Sequence, residues 1–136
     1  MKIYLIAYGA AIVAFLVIDG LWLGVVAKNF YANNLGELLR KDFLALPGVI
    51  FYLMFTAGLV FLAVRPGQPD LSLMNIALYG AVVGLLAYGT YDLTNLATLR
   101  GWPPVLAIVD MAWGTILSAS VSLCSAVCVR YFTSGN

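Results

Sequence analysis

Four apolar stretches, each long enough to cross a membrane, fill almost all of this chain and commit it to one architecture: an all-α integral membrane protein, a four-transmembrane-helix bundle. Composition agrees, because 63% of the 136 residues are hydrophobic and 10% are charged, whereas soluble domains are about half apolar. Mean hydropathy is +0.99. Only short connections remain outside the stretches, so residues 1–136 are expected to form a single transmembrane domain with no separate soluble catalytic module. A net charge of +1 with no basic run argues against nucleic acid as a partner and leaves membrane lipids as the expected surroundings.

The first stretch, Ile3 to Val26, is longer than the core of a secretory signal and carries Asp19 and Trp22 late, so it reads as a retained first helix. Its length spans the ~30 Å hydrocarbon core with some tilt. Pro47 suits the first turn of a helix and predicts a second span over 48–64. That span is stopped by Arg65-Pro-Gly-Gln-Pro-Asp70, a Pro/Gly cluster with no helical alternative. The third span is expected over 71–99, up to the tight reversal Arg100-Gly-Trp-Pro-Pro104, and the fourth over 105–132, before a polar tail at 133–136. The short second and third connections make helices two and three, and three and four, antiparallel neighbours.

The first connection, Lys28 to Leu46, is longer and mixes Lys28, Glu37, Arg40, Lys41 and Asp42 with Phe30, Tyr31, Leu35, Leu38, Leu39, Phe43 and Leu44. Leu35, Leu38, Leu39 and Asp42 recur at near-helical spacing. The segment reads as an interfacial amphipathic segment roofing one membrane face; the alternative is a solvated linker containing a short helix.

Three spans carry one aspartate each. Asp19 lies seven residues before Val26, Asp92 seven before Leu99, and Asp110 six after Pro104. Consecutive spans alternate direction, so at roughly 1.5 Å rise per residue all three carboxylates fall on the order of 10 Å below one face, here called face B. Ionisable groups in a bilayer are expensive and mark a site by default. Tyr52 and Thr56 on the second span reach the same level, and Gly84, Tyr88, Asp92 and Asn95 follow one face of the third. Arg100 and Lys28 stand at the face B boundary. Each aspartate could instead hold helices in register through a Trp, Tyr or Asn hydrogen bond, but registry needs only one or two such bonds. Asp19, Trp22, Tyr52, Tyr88, Asp92, Asn95, Arg100, Asp110 and Trp113 are therefore the candidate ligand-binding residues.

Gly20 with Gly24, and Gly80 with Gly84, are small-xxx-small pairs that read as helix contacts. The chain has no histidine, which removes His-ligated haem and His-based acid–base chemistry. Cys124 and Cys128 lie toward the opposite face, A, and read as packing residues with no further ligand to complete a zinc site. No cofactor and no metal site are expected, and no catalytic residues can be named. Asp19 to Trp22 and Asp110 to Trp113 repeat the pattern D-x-x-W on spans of opposite direction, which is weak ground for inverted symmetry.

Tyr91-Asp-Leu-Thr-Asn-Leu-Ala-Thr-Leu-Arg-Gly-Trp-Pro103, with Ile18-Asp-Gly-Leu-Trp-Leu-Gly24 and Val109-Asp-Met-Ala-Trp-Gly114, resembles a family of small bacterial inner-membrane proteins catalogued as domain of unknown function 2177. The resemblance covers nearly the full chain. It implies a four-helix, multi-pass protein of the bacterial inner (cytoplasmic) membrane and implies no activity. Its polar positions fall on Asp19, Trp22, Asp92, Asn95, Arg100, Trp102, Asp110 and Trp113.

The leading expectation is an intramembrane acidic site that binds or transports a cation, proton or small molecule; a chain this small would need a homo-oligomer to enclose a pathway. The alternatives are a membrane enzyme acting on lipid head groups, with Arg100 or Lys28 holding phosphate, and a non-catalytic accessory or assembly subunit. The absence of a legible catalytic set tilts the expectation away from an enzyme.

Overall fold

A computed structural model describes residues 1–66, 68 and 70–133. The expected tail at 134–136 and two positions of the expected turn at 65–70 lie outside these residues. Among the described residues, four helices are long and apolar enough to span a membrane: Lys2–Val26, Ala45–Val64, Leu73–Thr98 and Pro104–Thr133. The first comprises α1 (Lys2–Leu21) and a wider, π-type turn over Trp22–Val26, closed by a bond from the Ala27 N–H to the Trp22 carbonyl. A short α2 (Lys28–Leu35) follows. Next come α3 (Ala45–Leu59), itself ending in a π-type turn over Val60–Val64, then α4 (Leu73–Thr98) and α5 (Pro104–Thr133). There is no strand among the described residues.

Local chemistry sets these boundaries. Pro47 falls in the first turn of α3, where its missing N–H costs no helical bond, so the helix starts at Ala45 rather than at residue 48. Ser72 caps α4 by accepting from the Asn75 N–H at 3.2 Å, which delays the helix start to Leu73. Pro104 opens α5, and Gly101, at φ +82°, turns the chain in the reversal before it. The first connection is α-helical only over α2. One 3-10 turn over Gly36–Leu38 follows, Gly36 having φ +50°, and Leu39 is extended. The near-helical spacing of Leu35, Leu38, Leu39 and Asp42 is therefore not used as a helix.

The most extensive pairing joins α4 to α5, and α1 packs mainly on α5. The α4–α5 contact is made by glycine. A Cβ at Gly80 would lie 2.5 Å from the Ser122 hydroxyl oxygen, and one at Gly84 would lie 2.3 Å from the Gly114 carbonyl oxygen, so neither position admits a side chain at this helix spacing. The other small-residue pair behaves differently: Gly20 and Gly24 are exposed with nothing within 4 Å, so they make no helix contact within the chain. Cys124 is also exposed and thus faces outward rather than packing.

The core, including Ala7, Ala11, Phe15, Phe55, Leu59, Leu117 and Val121, fills the middle and face A side of the bundle. Helix α3 leans on α1 and reaches α4 chiefly through its last turn, Val60–Val64. Nearer face B, the Phe55 and Tyr88 rings still meet edge-on, with centroids 6.2 Å apart. Beyond that contact α3 and α4 part.

Candidate functional site

Asp19 comes from the last turns of α1, Asp92 from the face B third of α4 and Asp110 from the second turn of α5. Relative exposure is 4% for Asp19 and 0% for Asp92, and Asp110 is half-buried. Asp19 and Asp92 are thereby kept from lipid, as the cost of a charge in hydrocarbon requires.

Two of them are held by aromatic donors in a crossed pattern. The Trp113 indole N–H donates to Asp19 Oδ1 at 3.0 Å, and the Tyr52 hydroxyl donates to Asp19 Oδ2 at 2.6 Å. The Trp22 indole N–H donates to the Tyr31 hydroxyl at 3.3 Å, and Tyr31 in turn donates to Asp110 Oδ1. Each D-x-x-W segment thus lends its tryptophan to the other segment's aspartate, directly in one case and through Tyr31 in the other. The two indoles stack with centroids 4.1 Å apart and planes 8° from parallel, tying α1 to α5 at this level. The π-type turn begins at Trp22 itself, and such turns often sit beside functional sites.

Tyr31 was not among the residues expected from the sequence. It reaches the site because α2 folds over the face B end of the bundle, with Tyr31 and Leu35 against the cluster of Trp102, Leu106 and Ala107. Burial, and next the Asp110 carboxylate, push the Tyr31 phenol well above its ordinary value, so it remains a donor at physiological pH.

These groups border a partly open cavity of about 240 Å³ whose wall includes Asp19, Asp110, Tyr31, Tyr52, Tyr88 and Trp113. Asp92 stands behind that wall. Its carboxylate faces Asp110 and the Trp102 indole N–H, both cavity residues, and neither its oxygens nor that N–H completes a hydrogen bond. A buried carboxylate without a partner is costly, and two carboxylates side by side in a low dielectric repel unless a positive charge joins them.

That charge does not come from a basic side chain. The hydrogen bonds to Asp19 and Asp110 all come from tryptophan and tyrosine among the described residues. Arg100 and Lys28 are exposed. Nor do three His, Cys, Asp or Glu side chains among the described residues converge tightly enough to hold a metal ion.

Of the nine residues expected from the sequence, the structure brings Asp19, Tyr52, Tyr88, Asp110 and Trp113 to the cavity wall. Trp22 stacks on Trp113, and Asp92 lies behind. Asn95 and Arg100 are not part of the wall. Asn95 is half-buried one turn nearer face B, and Leu99 leaves the helix in an extended conformation that carries Arg100 out to the surface. Phe51, Tyr91 and Trp102 join the wall beyond that expectation.

No curated protein and no solved structure matches the chain. A family model described as "Predicted membrane protein (DUF2177)" matches residues 4–127, nearly the full length, and the chain therefore belongs to that family of membrane proteins.

Proposed function

We propose that the face B cavity is a binding site for a positively charged guest, a proton or a small cation, and that the protein carries or senses that guest in a bacterial inner membrane. One observation carries this reading: carboxylates from three helices gather at one level, two of them in the wall of a 240 Å³ cavity, with no hydrogen bond from a basic side chain among the described residues. A purely structural role would have given each aspartate a donor, as Tyr52 and Trp113 do for Asp19. Asp92 has none. The lipid-enzyme alternative loses its support here, because exposed Arg100 and Lys28 lie outside the cavity wall.

Passage across the membrane needs more than one chain supplies. On the face A side of the site, Phe15 packs on Tyr52 with centroids 4.8 Å apart, Phe55 packs on Tyr88, and Leu117 is fully buried, so close-packed side chains stand there, interrupted only by buried hydroxyls such as those of Thr56, Ser118 and Ser122. Transport by this site therefore calls for a second copy or a repacking of these helices.

The test uses tetramethylammonium as a compact cation and tert-butanol as a neutral molecule of similar size. With the protein in lipid nanodiscs, the stacked pair Trp22 and Trp113 reports occupancy by fluorescence. The expected result is a saturable response to tetramethylammonium alone, lost in Asp110→Asn. Equal responses to both probes, or a wild-type protein that responds to neither tetramethylammonium nor protons, would overturn the reading.

A further inference from the structure

A second recess of about 300 Å³, lined by Phe51, Ala87, Tyr88, Tyr91 and Asp110, shares all of these walls but Ala87 with the acidic cavity. It lies where α3 and α4 part, on the face B side of the Phe55–Tyr88 contact. Its walls are largely apolar and include Asp110, which it shares with the acidic cavity. Tyr91, also in its wall, is 55% exposed and adjoins Asp92 in sequence, so this exposed edge lies on the order of 10 Å below face B, within the hydrocarbon. The acidic cavity therefore has a side entrance at membrane depth.

We infer that the guest of this site is an amphiphilic cation, an ammonium head with a single apolar tail, which enters sideways from the membrane between α3 and α4. The inference rests on the reading of the cavity as a cation site and adds the class of ligand. Two independent features favour it over an inorganic ion. Asp19 and Asp110 put carboxylates in the wall that no basic side chain among the described residues meets, but no cluster among those residues has the convergence that a metal ion needs, whereas an ammonium head also meets the aromatic side chains of Tyr31, Tyr52, Tyr88 and Trp113 in the same wall. The recess beside it is apolar and opens toward hydrocarbon, so a tail attached to that head stays in a lipid-like environment throughout. Phospholipids fit poorly, because their phosphate would be brought against the same carboxylates.

Binding of tetramethylammonium and decyltrimethylammonium is compared in nanodiscs, with each ligand's concentration expressed as its amount in the bilayer so that simple partitioning cancels. Ala87→Trp fills the recess without adding charge. Leu86→Trp places the same side chain on the lipid-facing surface and serves as the control. The expected result is that Ala87→Trp weakens decyltrimethylammonium roughly tenfold, the equivalent of about two methylenes displaced from the recess, and leaves tetramethylammonium unchanged, while Leu86→Trp affects neither. If wild type binds tetramethylammonium but Ala87→Trp spares the long-chain ligand, or if both tryptophan variants act alike, the side entrance is refuted and the cation site stands. If wild type binds neither ligand, both readings fail.

Discussion

Replacing Gly84 by alanine tests the helix contact on which the site is built. The added Cβ would lie 2.3 Å from the Gly114 carbonyl oxygen and 2.4 Å from the Ser118 hydroxyl oxygen. An ordinary carbon–oxygen contact is about 3.3 Å or more. The hydroxyl can rotate away but the carbonyl cannot, so α4 must retreat from α5 by about 1 Å at this crossing. Overpacking of that kind costs about 1–3 kcal/mol, a fall of several degrees in melting temperature. The opposite sign is expected at Gly20, where an added Cβ meets nothing within 4 Å; there alanine should be neutral or stabilise by up to about 1 kcal/mol through helix propensity. Thermal unfolding of both variants in mild detergent, followed by tryptophan fluorescence, reads the difference. An unchanged melting temperature for Gly84→Ala would refute the close α4–α5 approach. An equal loss in Gly20→Ala would mean that the outward glycine face packs against a second copy of the chain.

Tyr31→Phe removes both the donor to Asp110 and the acceptor for Trp22, so residues 28–35 should exchange their amide hydrogens faster while the four spans keep their protection; unchanged exchange would show that α2 is docked by its apolar contacts alone. A double-mutant cycle of Asp19→Asn with Tyr52→Phe should return a coupling of about 0.6–1.7 kcal/mol, the range for interhelical hydrogen bonds in membranes, and a coupling near zero would contradict the 2.6 Å bond between them.

The four spans and the level of the aspartates were legible because both depend on local quantities: runs of apolar residues, and a fixed rise per residue between an aspartate and the end of its span. Partners across the bundle are not local. Tyr31 lies 79 residues from Asp110 in sequence and sits in an eight-residue helix of mixed composition, so nothing in its neighbourhood marks it as a site residue. The one available signal was that it follows Trp22 by nine residues in the connection on the aspartates' side of the membrane. Gly20 with Gly24 and Gly80 with Gly84 carry the same spacing, yet only the second pair meets another helix, because the motif permits close approach without specifying a neighbour. The sequence places Asn95 with the site because it continues the face of Asp92, and Arg100 because it stands at the face B boundary. The helix instead ends at Thr98, and the reversal through Gly101 takes Arg100 away.

The most direct measurement is a crystal structure of the protein with tetramethylarsonium, a cation shaped like tetramethylammonium whose arsenic can be located by anomalous scattering. The account predicts one strong arsenic peak inside the cavity bounded by Asp19, Tyr31, Tyr88, Asp110 and Trp113, absent from Asp110→Asn crystals grown the same way. A cavity free of arsenic in wild-type crystals that take the ion up elsewhere would contradict it, leaving the acidic layer as a device for helix packing.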